Sequence, residues 1–328
     1  PALLGRLDAS GLTASGDWTE ACAAVTARGG SRAFVAKYFG AVRVGDGHGL
    51  DTGYYEPTLA ASRVAGPGFS VPIYRRPPDL VEIDLGAFSA ALAGHKLRGH
   101  VAGRTFAPYP DRAAIEDGAL RGRGLELAWA ADPAAAFFLE VQGSGRLRLP
   151  DGSDMRVSYD GQNGRDYTAI GKLLRDRGVL GPGQATMAGI VAWMHAQPDG
   201  GRALMRENRS KVFFRELAVG TTSGPPGALG IGLEPRTSVA VDPRFVPLGA
   251  LLWVETQVPG AGAPFRQLMV AQDTGGAIKG ANRLDVFWGA DGNAAGIAGA
   301  MSSIGAVTLL LPRAAVARLG RDGPPPAP

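Results

Sequence analysis

The chain has 328 residues, of which 45% are hydrophobic and 20% charged, and its formal net charge is +4. This composition is typical of a folded globular protein and argues against a disordered chain. Apolar runs stay well short of the roughly 20 residues that a membrane-spanning helix needs. No basic run interleaved with aromatic residues indicates a nucleic-acid groove, so no nucleic-acid partner is expected. The mild cationic excess suits either plain solubility or the approach to an acidic polymer.

Neither a disulfide nor a metal centre is predicted, and no cofactor is expected. The single cysteine, Cys22, lies in an alanine-rich stretch and is interpreted as small core filler. The four histidines are scattered and lack the spacing of a zinc site. Because the 49 glycines and 24 prolines are spread along the chain, they favour short strands joined by tight turns.

In chain order, the first forty residues are predicted to be helical. One helix is expected from residue 18 to 28, ended by Gly29-Gly30, and a second from 31 to 39. Residues 49 to 62 are predicted to be extended. A proline stop at Pro77-Pro78 is interpreted as a domain junction.

The middle of the chain mixes strands and helices. Four strands are predicted at 125–129, 136–142, 145–149 and 155–159, with a hairpin turn at 150–153. Three helices follow, at 167–177, 184–197 and 200–207. From about residue 230 onward the pattern is strand and turn, at 238–241, 251–255, 267–272, 284–288 and 306–311, with one small helix at 293–301. This last part is interpreted as a compact β-barrel.

Three carboxylates in the last part share one setting, at or inside apolar strand-like segments. They are Asp242, Asp273 and Asp285. Apolar surroundings resist ionisation of a carboxyl group, which is how an aspartate becomes a general acid near neutral pH. The glycine-rich loop 274–280 can fold tightly around Asp285, and Lys279 within it can hold a carboxylate ionised. From the chemistry alone, the alternative that these aspartates have turn and capping roles and that Lys279 is solvated is favoured over catalysis.

Two motifs, AQDTGGAIKG from residue 271 and RLDVFWG from residue 283, resemble the three-aspartate domain of the membrane-bound lytic murein transglycosylase A family. Asp242, in SVAVDP, matches the first of that domain's three aspartates. Further segments resemble the family in the same order, namely TGYYEP from residue 52, PIYR from 72, VQGSG from 141 and YDGQNG from 159. The resemblance covers nearly the whole chain.

The resemblance implies a mainly β fold with some α structure. A double-psi β-barrel catalytic domain would be built from both chain ends, residues 1–78 plus 212–328. A second β-barrel domain with helices, residues 79–211, would be inserted between them, with substrate in the groove between the two.

The resemblance also implies an activity, the lytic cleavage of the bond between N-acetylmuramic acid and N-acetylglucosamine in peptidoglycan, with formation of a 1,6-anhydromuramyl end. By motif position Asp285 is the acid–base catalyst, Asp273 an orienting or electrostatic neighbour, and Asp242 structural. Six residues are candidates for contact with the glycan strand: Thr52, Tyr54, Tyr55, Gln142, Ser144 and Lys279. Gln142 and Ser144 are expected in an exposed Gly-Ser-Gly turn.

The family's proteins are periplasmic, and a lipid anchor to the outer membrane through a segment preceding Pro1 is left open; a monomer is expected. Two rival functions remain. One is an endoglucanase-like hydrolase on the same barrel, with Asp273 or Asp242 as base. The other is a non-catalytic, expansin-like wall-binding module, because the fold alone does not determine function.

Overall fold

The computed structural model describes residues 8–25, 31–181, 183–218, 224–290 and 293–322. The strands of these residues are β1 Phe39–Val42, β2 His48–Tyr54, β3 Thr58–Ser62, β4 Val71–Tyr74, β5 Val81–Asp84, β6 Lys96–Ala102, β7 Thr105–Pro108, β8 Glu126–Ala130, β9 Ser144–Arg148, β10 Asp154–Gln162, β11 Val212–Glu216, β12 Ser238–Val241, β13 Leu251–Thr256, β14 Phe265–Thr274, β15 Leu284–Phe287 and β16 Ser302–Pro312. The α-helices are α1 Thr19–Ala24, α2 Arg32–Tyr38, α3 Arg112–Ala114, α4 Pro133–Gln142, α5 Ile170–Asp176, α6 Met187–Ala196, α7 Pro198–Glu207, α8 Ala294–Ala300 and α9 Arg313–Asp322. None of these helices combines the length and apolar character that crossing a bilayer demands.

The chain divides into two compact units, one formed by both chain ends and one inserted between them. The first contains Pro1–Tyr55 and Thr222–Pro328, and the second Glu56–Thr221. This division differs from the predicted junctions near residues 78 and 212. The reason is strand pairing, because β3 and β4 both pair with β8 of the inserted unit and the Pro77-Pro78 stop follows them.

The first unit is a closed barrel of six strands. Hydrogen bonding runs in the order β16-β13-β14-β12-β15-β2, and pairing of β2 with β16 closes the ring. Two pairs are parallel, β12 with β14 and β15 with β2, which brings chain segments from both ends into one sheet. Strand β12 is buried on both faces, as the apolar residues 239–241 predict. The predicted fold class, a double-psi β-barrel built from both chain ends, is confirmed.

The second unit contains another six-stranded sheet, in the order β11-β10-β9-β3-β8-β4. A bridge between Arg75 and Phe214 joins its two edges, so this sheet also curls into a barrel. Its core is aliphatic, with Leu139, Leu147 and Val157 completely buried. The unit also contains a small separate sheet, β5-β6-β7, and the helices α3 to α7.

The sequence predicted most of these elements, with one clear error. Residues 136–142 are not a strand but the end of helix α4. The Asp132 side chain accepts a hydrogen bond from the Ala134 amide, Pro133 occupies the first turn, and Gly143 ends the helix with a φ of 78°. These capping signals outweigh the apolar run that favoured a strand. Helix α9 was not predicted, and residues 26–28 of the predicted first helix lie outside the described residues.

Candidate active site

The site is centred on Asp285 in strand β15, in the middle of the first barrel's sheet. On one side β12 places Ala240 opposite Asp285, and on the other side β2 places Thr52 opposite it in parallel register. The Thr52 hydroxyl donates a hydrogen bond of 2.6 Å to Oδ1 of Asp285. Among the hydrogen bonds of the described residues, none reaches Oδ2. Asp285 is partly exposed as a residue, and the Thr52 hydroxyl holds one oxygen of its carboxyl group.

Asp273 lies near the end of β14 and is held by three donors. The amides of Ala228 and Thr274 donate to Oδ1 at 3.1 and 2.9 Å, and the Tyr54 hydroxyl donates to Oδ2 at 2.9 Å. The Tyr54 ring packs on Phe287, with the ring centroids 5.2 Å apart. Because Tyr54 is only 8% exposed, it is placed to hold Asp273 rather than to present an open ring face.

The two carboxyl groups both resist ionisation. Burial raises the pKa of Asp285 to about 6, and the charge of Asp273 acts in the same direction. The Thr52 hydrogen bond and the charge of Arg283 oppose this rise. Burial also raises the pKa of Asp273, and its three hydrogen bonds offset only part of that rise. A carboxyl group with a pKa near 6 is able to give and take a proton near neutral pH.

Asp242 has a different environment. It is 1% exposed, forms a salt bridge with Arg244 at 2.6 Å, and accepts a hydrogen bond of 2.9 Å from the Gly280 amide. Burial acts to raise the pKa of Asp242. The side chain of Arg244 and hydrogen bonds from the amides of Gly280 and Arg244 outweigh burial, so the pKa is lowered. Asp242 therefore ties the loop at Gly280 to the end of β12. The geometry suits the predicted structural role.

Two residues of this region were not singled out from the sequence, Asp51 and Arg283. Arg283 donates a hydrogen bond of 3.0 Å to the Leu50 carbonyl in β2 and a second to the Leu284 carbonyl in β15. Asp51, opposite Leu284, is completely buried, and burial raises its pKa to about 7. Arg283 is the first residue of the motif RLDVFWG and Asp51 immediately precedes the motif TGYYEP, so their positions were the available signal in the sequence. Only the pairing of β2 with β15 brings the two residues together.

The remaining predicted contact residues are distributed over both units. Lys279 is exposed and Tyr55 is half-buried, both in the first unit. Gln142 and Ser144 belong to the second unit, at the end of α4 and the start of β9. The expected exposed turn is wrong for Ser144, which is 7% exposed and paired with Ser158 in a sheet. The helix α4 ends at Gly143 and leads directly into the strand.

Two family models match the chain. Residues 50–215 match the family described as the MltA specific insert domain, and residues 237–311 match the 3D domain. The inserted unit thus corresponds to one family model, and the barrel with its three aspartates corresponds to the other.

Curated relatives and solved structures agree with these matches. The chain is 33% identical over 267 residues to membrane-bound lytic murein transglycosylase A of Escherichia coli strain K12, covering 79% of this chain and 64% of the relative. It is 37% identical over 187 residues to the Vibrio cholerae protein of the same name, covering 55% of this chain and 50% of the relative. The chain therefore spans between half and about two thirds of the curated relatives' length.

Among solved structures, a membrane-bound lytic murein transglycosylase from Agrobacterium tumefaciens superimposes with a TM-score of 0.84 at 34% identity, over 94% of this chain and 88% of that one. E. coli MltA with bound chitohexaose gives a TM-score of 0.70 at 30% identity, over 95% of this chain and 85% of that one. A protein with these two barrels and these three aspartates is related to the lytic transglycosylases that contain a 3D domain. More particularly, the chain belongs to the membrane-bound lytic murein transglycosylase A family.

Proposed function

We propose that the protein is a peptidoglycan lytic transglycosylase in which Asp285 acts first as acid and then as base. One observation carries this proposal. Asp285 is a partly exposed residue, and burial of its carboxyl group raises the pKa to about 6. Thr52 holds one carboxyl oxygen, while the other accepts no hydrogen bond from the described residues. The family's name supports the reaction, and the bound chitohexaose of E. coli MltA supports a β-linked amino-sugar chain as substrate.

The reaction needs one carboxyl group. Protonated Asp285 donates its proton to the oxygen that links C1 of N-acetylmuramic acid to N-acetylglucosamine, and the C1–O bond breaks towards an oxocarbenium-like state. The 6-hydroxyl of the same muramyl residue then attacks C1 and gives its proton to the Asp285 carboxylate. The product carries a 1,6-anhydro ring and the carboxyl group regains its proton. Because the attacking hydroxyl belongs to the reacting sugar, its effective concentration is high.

The neighbours of Asp285 have supporting roles in this proposal. The Thr52 hydroxyl fixes one carboxyl oxygen and so orients the other. The charge of Asp273 favours the protonated form of Asp285, and Tyr54 with the amides of Ala228 and Thr274 keeps that charge in position. A hydrolase normally requires a second carboxyl group free to act on water. Asp273 already accepts three hydrogen bonds and Asp242 is paired with Arg244, which favours transglycosylation over hydrolysis.

Substrate contacts and cellular location follow from the same proposal. Lys279 and Tyr55 of the first unit are proposed to contact the glycan strand. Contact with the glycan by Gln142 and Ser144 is a proposal that rests on the resemblance of their motif to the family. The strand is expected to lie across the Asp285 carboxyl group. A periplasmic location is proposed because the relatives are membrane-bound proteins that act on murein, as their names state.

Mass spectrometry of fragments released from purified peptidoglycan tests the proposal. The wild type is expected to release 1,6-anhydromuropeptides, and Asp285→Asn, which keeps the shape of the side chain, is expected to release none. Reducing-end products from the wild type would instead establish a hydrolase. Equal release by Asp285→Asn would show that another residue is the catalyst. Binding to peptidoglycan without release of fragments by either protein would establish a non-catalytic wall-binding module.

A further inference from the structure

Asp51 is a buried carboxyl group for which the reaction scheme has no use. It is 0% exposed, and neither of its oxygens has a hydrogen-bond partner among the described residues. A buried acid without partners is costly, so its retention calls for an explanation. The surrounding backbone is shaped to accept it, since a Cβ atom at Gly305 of β16 would overlap Oδ2 of Asp51.

The groups around Asp51 are few. The Thr256 hydroxyl of β13 lies close enough to Asp51 to lower its pKa, although no hydrogen bond of normal geometry joins the two groups. The charge of Arg283 also lowers the pKa of Asp51. Strand β16 contributes Gly305, and helix α8, which packs against β2, contains only alanine, glycine and isoleucine. Within the described residues, Arg283 is therefore the one charged neighbour through which Asp51 influences other groups.

Arg283 connects Asp51 to the reacting group. Its guanidinium bridges β2 and β15 through the carbonyls of Leu50 and Leu284. In this parallel pair Asp51 lies opposite Leu284 and Thr52 opposite Asp285, one position further along. Asp51 and Asp285 both interact electrostatically with the same guanidinium, which is itself partly buried.

We infer that Asp51 is a positioning residue for the reaction and acts on Asp285 through the guanidinium of Arg283. The inference rests on the proposed role of Asp285. When Asp51 is protonated, the guanidinium of Arg283 is attracted towards Asp285 alone, which favours the Asp285 carboxylate. Ionised Asp51 attracts the guanidinium towards itself, so Asp285 retains its proton to higher pH. The two acids titrate as a coupled system around one cation.

The pH dependence of anhydromuropeptide release by wild type and Asp51→Asn tests this inference. The ratio of variant to wild-type rate is expected to fall about threefold between pH 5.5 and pH 8, the effect of a change of about 0.5 unit in the pKa of Asp285. A merely structural role predicts a constant ratio, and that result would overturn the inference.

A second variant, Thr256→Val, keeps the shape of the site but removes the hydroxyl that favours ionised Asp51. It is expected to change the pH profile in the same direction as Asp51→Asn, which provides the test if that variant does not fold. Asp285→Asn separates this inference from the proposed function. If Asp285→Asn is inactive while both other variants run parallel to wild type, only the role of Asp51 fails. If Asp285→Asn is active, the proposed catalyst itself fails.

Discussion

The hydroxyl of Thr52 and the carboxyl group of Asp285 are separated by 233 positions in the chain, yet they form a hydrogen bond of 2.6 Å. The bond joins β2 to β15, a parallel pair that holds the two residues in direct register. The orientation of Asp285 therefore depends on a strand from the opposite end of the chain. Four predictions follow from this barrel and its inserted partner.

Thr52→Val removes this hydrogen bond with little change of volume. Because the bond lowers the pKa of Asp285, its loss is expected to raise that pKa further and to move the alkaline limb of the activity profile to higher pH. The rate at the optimum is expected to fall about tenfold, as loss of about 1.5 kcal/mol from a hydrogen bond to a charged group predicts. Steady-state release of muropeptides across pH measures both effects. Thr52→Ser is the control and is expected to resemble wild type; a Val variant with an unchanged pH profile would contradict the prediction.

Asp273→Asn removes a charge that raises the pKa of Asp285. The pKa of Asp285 is therefore expected to fall, and the alkaline limb of activity to move to lower pH, opposite to the shift for Thr52→Val. The amide oxygen of Asn is able to accept the bonds from Ala228 and Thr274, so the local fold is expected to persist. Circular dichroism provides the folding control. An unchanged or upward shift would exclude an electrostatic role for Asp273.

Gly53→Ala is expected to destabilise the first barrel. A Cβ atom at Gly53 would lie 2.7 Å from Nε1 of Trp288 and 2.8 Å from Cα of Ala298, both closer than contact allows. Overpacking of this kind costs about 1–3 kcal/mol, to be measured by urea unfolding. Gly262→Ala is the matched control, since no atom lies within 4 Å of its added Cβ. Equal stability of the two variants would contradict this account of Gly53.

Glu140→Gln is expected to destabilise the inserted unit. Glu140 of α4 pairs with Arg112 at 2.8 Å and with Lys211 at 2.5 Å, and all three side chains are buried. Burial alone would raise the pKa of Glu140, but these two charges outweigh it and lower the pKa. Removal of one partner from a buried ion pair costs about 3–5 kcal/mol.

The sign of the pH dependence follows from the lowered pKa of Glu140. Its stabilising contribution is present above the ordinary pKa of 4.5 and is lost as the pH falls below it. Wild type and Glu140→Gln are therefore expected to converge in unfolding free energy as the pH falls below 4.5. The matched control is Glu207→Gln, because Glu207 is exposed and its pairing with Arg177 on the surface of the same unit contributes little. A stability difference that stays constant with pH would contradict the ionic account.

Local sequence patterns predict correctly those helices, strands and turns whose structure depends mainly on residues nearby in the chain. The hairpin at 150–153 was predicted from its turn residues, and β9 and β10 do pair there, with Arg148 opposite Asp154. The strand β12 was recognised from its apolar run for the same reason. The error at residues 136–142 is also local, because Asp132, Pro133 and Gly143 fix the two ends of a helix and so decide the structure of the apolar residues between them.

The sequence by itself determined the family, the double-barrel fold class and the candidate catalyst Asp285, because these depend on motifs that are contiguous in the chain. Only the tertiary structure decided the supporting contacts. Tyr54 is a candidate for sugar contact from its motif, but only the fold shows that its hydroxyl donates a hydrogen bond to Asp273. Asp51 and Arg283 acquire their relationship only when β2 from one chain end pairs with β15 from the other. Register between distant strands is set by closure of the barrel and burial of its core, and no short segment of sequence carries that information.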